Sequence, residues 1–215
     1  SAQYIDGIIV SAKFSSQDFA YFRYGAKEMP LVVMLASGLN NAMLPEFYSA
    51  NKVQSALKAI KDKSRRLMHI LFPITILLML YSNDIYYALF TSRFNRSADV
   101  FMVYLLLITN RMLFPQTILI GMKKTGVVMV ASIIEIMLNI GLSLWMIPRY
   151  GIVGVAVATV VVYLIEKGIL IAFNYFRYKI KPQEYTPLKT YFIYSLIIII
   201  LFVLIDKRII MLPIR

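Results

Sequence analysis

Apolar segments recur along this chain between short charged stretches, and their length restricts the fold to one class. A helix needs about 20 predominantly apolar residues to cross the hydrocarbon core of a bilayer. Hydrophobic residues make up 60% of the sequence and charged residues only 16%, whereas soluble domains carry about 25% charged residues. The segments lie at 4–14, 19–45, 67–90, 99–121, 126–148, 152–175 and 190–206. We therefore predict an all-α, polytopic integral membrane protein that folds as a helical bundle.

The sequence lacks the residue patterns that catalysis and metal binding require. It contains no Cys, and its one histidine, His69, has no second His or carboxylate at ligand spacing. It also has no phosphate-binding Gly-rich loop and no nucleophile elbow. We therefore predict that the chain is not an enzyme and has no catalytic residues, no metal site and no cofactor.

The beginning of the sequence differs from that of a secreted or complete membrane protein. It has no initiator Met and no basic region followed by a short apolar run and a cleavage site. The first apolar segment, 4–14, is also too short to span a bilayer. We interpret the chain as a fragment that begins inside a truncated helix.

The basic residues divide unevenly between the two sets of connections that alternating spans produce. One set has six in loop 46–66, two at Lys123–Lys124 and four in 177–189, twelve in all, and the other set has six. Cytoplasmic loops carry the excess of Lys and Arg in membrane proteins. We predict that the first set is cytoplasmic. The net charge of +12 then reflects orientation, and nucleic acid is not a partner.

Loop 46–66 has a pattern beyond its charge. Apolar residues recur in it at helical spacing, with lysines and arginines between them. One interpretation is an amphipathic helix that lies on the anionic cytoplasmic leaflet and contacts membrane lipids. The alternative is a solvated basic loop that serves only to fix the topology.

A polar stripe runs along the span 19–45. At 100° per residue, six of its residues share one helical face, which a helix surrounded by lipid would not retain. They are Arg23, Lys27, Pro30, Ser37, Asn41 and Pro45. We predict that the stripe lines a polar cavity and that Arg23, Lys27 and Asn41 bind an anion there. The alternative is that the two cations extend outward to the membrane interface.

Two later spans carry ionisable residues at membrane depth, where a charge costs roughly 2.5–3.5 kcal/mol on insertion scales. Arg111 lies near the middle of span 99–121, and Glu135 shares a face with Asn139 in the next span. One interpretation assigns Arg111 to anion binding, and Glu135 and Asn139 to coupling with a proton or sodium ion. The other is a mutual Arg111–Glu135 salt bridge that only joins two helices.

The segment 139–163, NIGLSLWMIPRYGIVGVAVATVVVY, has a specific pattern of small and turn-forming residues. It resembles a helix–turn–helix of the polysaccharide flippases, in the multidrug, oligosaccharidyl-lipid and polysaccharide exporter superfamily. The matching residues are Asn139, Ile147, Pro148, Tyr150, Gly151, Ile152, Gly154, Ala156, Ala158 and Thr159. A weaker match covers 4–30, at Asp6, Ala20, Tyr21, Ala26, Lys27 and Pro30.

The resemblance implies a fold and an activity. Residues 1–175 would be the C-terminal six-helix bundle of a two-bundle flippase, and 176–215 a cytoplasmic linker with an additional helix, the thirteenth. The N-terminal bundle of the same protein would then be missing. The implied function is alternating-access transport of undecaprenyl-pyrophosphate-linked oligosaccharide across the bacterial inner membrane, with the anionic pyrophosphate at Arg23, Lys27 and Arg111.

Two other functions remain open at this point. One is export of drugs or organic cations by a transporter of the same superfamily, although three basic candidates suit such a substrate poorly. The other is a non-transporting membrane scaffold in a glycan-assembly complex. The membrane-embedded charges discriminate between transport and scaffolding, because a scaffold would tolerate their replacement.

Overall fold

The computed structural model describes residues 2–48, 53–89 and 94–207, and every regular element within those ranges is helical. This confirms the predicted all-α class. The helices are α1 (Ala2–Lys13), α2 (Ser16–Gly25), α3 (Pro30–Met43), α4 (Val53–Leu80), α5 (Ser82–Leu89), α6 (Asn95–Leu105), α7 (Ile108–Arg111), α8 (Pro115–Gly121), α9 (Thr125–Tyr178), α10 (Pro182–Tyr185) and α11 (Leu188–Asp206).

The span predicted over 19–45 is interrupted, so the prediction of one continuous helix is wrong. Helix α2 ends at Gly25, and α3 begins at Pro30 after the non-helical residues 26–29. Met29 has an extended backbone conformation (φ −60°, ψ 115°), because a proline disfavours the helical conformation of the residue before it. At the interruption the Lys27 N–H donates to the carbonyl oxygen of Gly25 at 2.7 Å instead of continuing the helical pattern.

The spans predicted over 67–90 and 99–121 are also bent. Helices α4 and α5 form a pair with a bend of 65°, and a second bend of 49° separates residues 96–111 from α8. Pro73 lies inside α4 without ending it, whereas Pro115 begins α8. Among the described residues, two helices are long and apolar enough to cross a membrane, or four if each bent pair counts as one span.

Helix α9 is a hairpin of two antiparallel arms, as the sequence predicts for 126–148 and 152–175. Gly151 reverses the chain with φ 56° and ψ −137°, a conformation that glycine adopts without the steric cost of a Cβ atom. The side chains of Asn139 and Thr159 are hydrogen bonded at 2.9 Å, although 20 residues of straight helix would separate them by about 30 Å. Gly154 lets the arms approach closely, because an added Cβ would lie 3.0 Å from the carbonyl oxygen of Met146.

Most of the stretch predicted as loop 46–66 is helical, which confirms the helix of the first interpretation but not its placement on lipid, and shows that the solvated loop is wrong. From Val53 onward it is the first half of α4, and residues 49–52 lie outside the described part. The apolar face does not lie on lipid, because Ala56, Leu57 and Ile60 are buried in the main core of the bundle. The lysines and arginines therefore project from a helix that the protein itself holds in place.

The connections that are predicted to share one side of the membrane meet at one end of the bundle. We call it the basic end. The backbone of Gly121 lies against Phe47, so that an added Cβ would be 2.5 Å from the Phe47 Cβ. Lys61 Nζ donates a hydrogen bond to the carbonyl oxygen of Gln183 at 2.6 Å. At the opposite end, Phe14, Asp18 and the Gly151 reversal line one surface cavity. Which end faces the cytoplasm remains a prediction.

Residues 176–207 do not stand apart from the helices before them. Helix α11 packs along α4, where the rings of Phe72 and Tyr194 stack at 5.1 Å, and His69 Nδ1 lies 3.0 Å from the Tyr194 hydroxyl. Tyr185 of α10 is fully buried in the same core cluster as α4. The division of the chain at residue 175 remains a prediction.

Candidate functional site

A cavity of about 300 Å³ lies inside the bundle, between α3, the α7–α8 region and both arms of α9. We call it the bundle cavity. Polar and charged side chains supply much of its lining, which is unusual for helices that face one another in a membrane. These residues are Ser37, Asn40, Asn110, Arg111, Gln116, Ser132, Glu135, Tyr163, Glu166 and Lys167.

Arg111 enters the bundle cavity at the end of α7 and is held by Glu28. Its Nε donates to Glu28 Oε2 at 2.7 Å and its Nη2 donates to Oε1 at 2.6 Å. The side chain of Glu28 is only 8% exposed and that of Arg111 35%, so this two-point ion pair lies mostly inside the protein. The Arg111 guanidinium also lies 6.0 Å from the centre of the Tyr163 ring. The predicted alternative, a mutual salt bridge with Glu135, named the wrong carboxylate.

The Glu28–Arg111 pair joins two interruptions of the helical backbone. Glu28 lies in the non-helical stretch between α2 and α3, and Arg111 directly precedes the non-helical residues 112–114. Bidentate pairing fixes both the distance and the relative orientation of the two groups. The pair therefore fixes the bend in one span relative to the bend in another.

A second charged pair lies in the same cavity, on the second arm of α9. Lys167 Nζ donates to Gln116 Oε1 at 2.7 Å and lies 3.3 Å from Glu166 Oε2. The side chains of Lys167 and Glu166 are only 11% and 6% exposed. Lys167 is not among the predicted site residues.

Glu135 lines the bundle cavity, and Asn139 lies one helical turn further along the same arm, in a buried polar cluster. Thr159 Oγ1 lies 2.9 Å from Asn139 Nδ2 and 2.6 Å from Asp6 Oδ2. The Tyr104 hydroxyl donates to the same Asp6 oxygen at 2.9 Å. We call Asp6, Tyr104, Asn139 and Thr159 the Asp6 cluster. The Asp6 carboxylate in this cluster has no exposed surface.

The predicted polar stripe of α2 and α3 is divided: Ser37 lines the bundle cavity, whereas the predicted anion-binding residues of the stripe lie on the outside of the bundle. Arg23, Lys27 and Asn41 are all exposed, and none of them lines the bundle cavity. The cavity takes the neighbouring Asn40 instead, whose Oδ1 accepts a hydrogen bond from Thr117. The six predicted anion-binding and ion-coupling residues thus divide into an outer group, Arg23, Lys27 and Asn41, and an inner group, Arg111, Glu135 and Asn139.

Sequence reasoning missed several residues that lie beside the inner group. Asp6 was used only as part of the family resemblance, although a carboxylate in an apolar segment is itself a signal of function. Lys167 adjoins Glu166 in the sequence, and because adjacent residues of a helix do not share a face, spacing does not place both in one cavity. Glu28 carried no signal that would have paired it with Arg111. Within the described ranges, no group of three or more His, Cys, Asp or Glu residues could hold a metal ion.

Comparison with protein families identifies the class of membrane protein to which this chain belongs. The sequence profile of the family described as Lipid II flippase MurJ matches residues 2–213, almost the whole chain. The chain belongs to the MurJ family. MurJ proteins are multi-pass membrane flippases of lipid-linked precursors and not enzymes, which confirms the predicted class of transporter. The MurJ family takes its name from lipid II, whereas the sequence resemblance pointed to the polysaccharide flippases of the same superfamily.

No curated protein and no solved structure matches this MurJ-family chain. The function proposed below therefore depends on the family profile and on the geometry of the described residues.

Proposed function

We propose that this chain is one helical bundle of a flippase that moves lipid II, the lipid-linked peptidoglycan precursor, from the inner to the outer leaflet of the bacterial cytoplasmic membrane. Its mechanism is alternating access, in which two bundles rock around a polar site near the middle of the membrane. The observation that carries the proposal is the exposed stripe that contains Arg23, on α2, and Lys27, in the non-helical residues after α2.

This stripe supports a site for an anionic headgroup. Arg23 and Lys27 lie one helical turn apart in sequence, at the break in the span, and both are exposed on the outside of the bundle. Cations within a membrane span are costly when they face lipid and normally face protein or a water-filled cavity. We propose that the stripe faces a central cavity completed by an N-terminal bundle of the same protein. There, Arg23 and Lys27 bind the pyrophosphate and Asn41 contacts a neighbouring polar group.

We propose a different role for Arg111. Its charge is already compensated by Glu28 at 2.6 Å, and Glu135 and Glu166 line the same cavity. Together with Lys167, these groups amount to two cations and three carboxylates, which is an unfavourable environment for a pyrophosphate. Arg111 therefore acts as a positioning residue that fixes the bends of two spans.

We further propose that the Asp6 cluster, together with Glu135, binds the ion that drives transport, a proton or sodium. The buried oxygen atoms without a hydrogen-bond partner among the described residues include Asp6 Oδ1, Asn139 Oδ1 and Ser143 Oγ. Hard cations prefer oxygen ligands, and a buried carboxylate without a compensating positive charge is costly. Glu135, one turn from Asn139, lines the bundle cavity and would pass the ion between the cavity and these oxygens.

Ion binding predicts a stabilisation that depends on the cation. The intact purified protein should unfold at a higher temperature in sodium chloride than in choline chloride at equal ionic strength, or its midpoint should follow pH if the ion is a proton. Asp6→Asn should remove this dependence, because the neutral amide loses the charge that binds the cation. An unchanged cation or pH response in Asp6→Asn would exclude the Asp6 cluster as the ion site.

The proposed orientation places the basic end in the cytoplasm. A single cysteine introduced at the exposed position Ser55, near the start of α4, should react with a membrane-impermeant thiol reagent only in inside-out vesicles. A cysteine at Ser16, at the opposite end of the bundle, is the matched control and should react only in right-side-out cells. The reverse pattern would invert the topology.

Substrate choice is the direct test of the proposed function. In proteoliposomes, the intact protein should flip lipid II, but not an undecaprenyl-pyrophosphate-linked oligosaccharide that lacks the peptide stem. This result is expected because the family whose profile covers residues 2–213 is described by lipid II. Equal or preferential transport of the oligosaccharide would instead support the polysaccharide precursor that the sequence resemblance implied.

A further inference from the structure

Lys167 is a buried cation for which the proposed transport cycle does not yet account. Its ammonium group lies in the bundle cavity, 2.7 Å from Gln116 Oε1 and 3.3 Å from Glu166 Oε2. Burying a charge inside a membrane protein is costly even when it is paired. A neutral side chain could fill this position at lower cost, so the positive charge itself needs an explanation.

The path of the side chain shows that the ammonium group is drawn into the cavity. Residues 166 and 167 are neighbours in sequence, so their Cβ atoms point about 100° apart around the helix. Both side chains nevertheless line the cavity, and their charged atoms meet there. A lysine has a flexible four-carbon stem with a compact charge at its end, so it can reach more than one acceptor in the same space.

The acceptor that holds Lys167 lies on a different helix, directly after a bend. Gln116 is the second residue of α8, directly after Pro115 and the 49° bend that separates α8 from residues 96–111. Lys167 itself is on the second arm of α9. A change of the bend at residues 112–114 therefore changes the distance between Gln116 Oε1 and the Lys167 ammonium group.

We propose that Lys167 is a built-in competitor of the coupling cation, an inference that rests on the ion coupling proposed above. With Lys167 charged, the cavity and its Glu28–Arg111 pair hold two cations against three carboxylates, an excess of one negative charge. When Gln116 holds the lysine, the remaining carboxylates attract a proton or sodium ion. When α8 moves away, the released ammonium group turns toward Glu135 and displaces that ion.

The proposal makes a quantitative prediction for removal of the charge. Lys167→Gln leaves an excess of two negative charges, which strengthens the attraction for a monovalent cation. Charges several ångströms apart near a protein interior interact strongly enough to raise cation affinity on the order of tenfold. Gln116→Leu should act in the opposite direction, because it frees the ammonium group to compete and so lowers the affinity.

The experiment measures cation affinity in the intact, purified protein without a transport assay. The unfolding midpoint is recorded as sodium chloride replaces choline chloride at constant ionic strength, and over a pH series if the ion is a proton. Lys167→Gln should reach half of the maximal stabilisation at about a tenth of the wild-type sodium concentration, or at a pH about one unit higher. Lys124→Gln, which removes an exposed lysine before α9, is the control and should match the wild type.

A double variant shows whether the change of charge causes the change in cation affinity. Glu166→Gln combined with Lys167→Gln restores the original excess of one negative charge, so its affinity should return to that of the wild type. A gain that persists in this double variant would overturn the proposal. An unchanged cation affinity in Lys167→Gln would also overturn the proposal. An unchanged or higher affinity in Gln116→Leu would overturn it as well, and this test does not require a stable Lys167 variant.

The failure of this inference can be distinguished from the failure of the ion coupling beneath it. If the wild type responds to the cation, Asp6→Asn removes the response and Lys167→Gln does not alter it, only the role of Lys167 is wrong. If neither the wild type nor Lys167→Gln responds to sodium or pH, both proposals are wrong.

Discussion

Replacing Arg23 and Lys27 together by alanine is expected to reduce lipid II transport roughly 100-fold or more, because each charged hydrogen bond contributes about 1.5–3 kcal/mol. Both side chains are exposed on the outside of the bundle, so the folded protein should still accumulate in the membrane. Arg23→Lys should retain part of the activity, since a cation remains while the planar fork that binds phosphate oxygens is lost. Transport is measured with lipid II in proteoliposomes, and membrane abundance by immunoblot.

A matched control removes two other exposed cations from the same chain. Lys13 lies at the end of α1, and Arg149 lies before the Gly151 reversal, 5.5 Å from the Trp145 ring. Their double replacement by alanine changes the net charge equally but leaves the stripe intact, so transport should remain near the wild-type rate. Near-normal transport by the Arg23→Ala, Lys27→Ala variant would remove the stripe as the headgroup site.

Hydrophobic length predicts where this chain has helices, because membrane-spanning segments must satisfy their own backbone hydrogen bonds. It does not predict where those helices break. Pro30 and Pro115 stand in the sequence as clearly as Pro73, yet the first two begin new helices and Pro73 lies inside α4. Whether a proline ends a helix depends on whether neighbouring helices supply hydrogen bonds for the backbone groups that it frees. Such contacts are tertiary, so the local sequence does not predict them.

The reversal at Gly151 could be predicted because it depends on local chemistry. Pro148 and Gly151 lie between two apolar runs, and Gly151 adopts the positive φ for which glycine is suited. The predicted pairing of Arg111 failed because its partner Glu28 lies 83 residues away. Burial, not spacing, selects that partner, since a guanidinium at this depth takes the carboxylate that the fold places next to it.

The predicted stripe does not follow one face of the bundle. Ser37 lines the bundle cavity, whereas Arg23, Lys27 and Asn41 are exposed and do not line it. The prediction carried a 100° step from Arg23 to Pro45 through residues 26–29, which are not helical. Every such break resets the helical phase, so only residues within one unbroken helix can be assigned to a common face.

Breaking the Glu28–Arg111 pair is expected to destabilise the protein by about 3 kcal/mol, because removal of one partner leaves the other charge buried without compensation. Arg111→Ala and Glu28→Ala should each lower the unfolding temperature in detergent and reduce the amount of protein in the membrane. Arg111→Ala combined with Glu28→Ala should restore much of both, since no uncompensated charge remains. The combination with Glu135→Ala should not restore them, because Glu135 is not the carboxylate that holds the guanidinium.

The ion pair between Arg96 and Asp18 provides the internal comparison for this prediction. It has one contact of 3.1 Å, and the side chain of Arg96 is 69% exposed. Exposed pairs contribute about 0–1 kcal/mol, so Arg96→Ala should hardly change the unfolding temperature. Recovery of stability by Glu135→Ala, and not by Glu28→Ala, in the Arg111→Ala background would contradict the pairing. If the Glu28→Ala double variant recovers its stability but not its transport, the pair fixes the two bends that alternating access requires. If transport also recovers, its role is limited to holding the helices together.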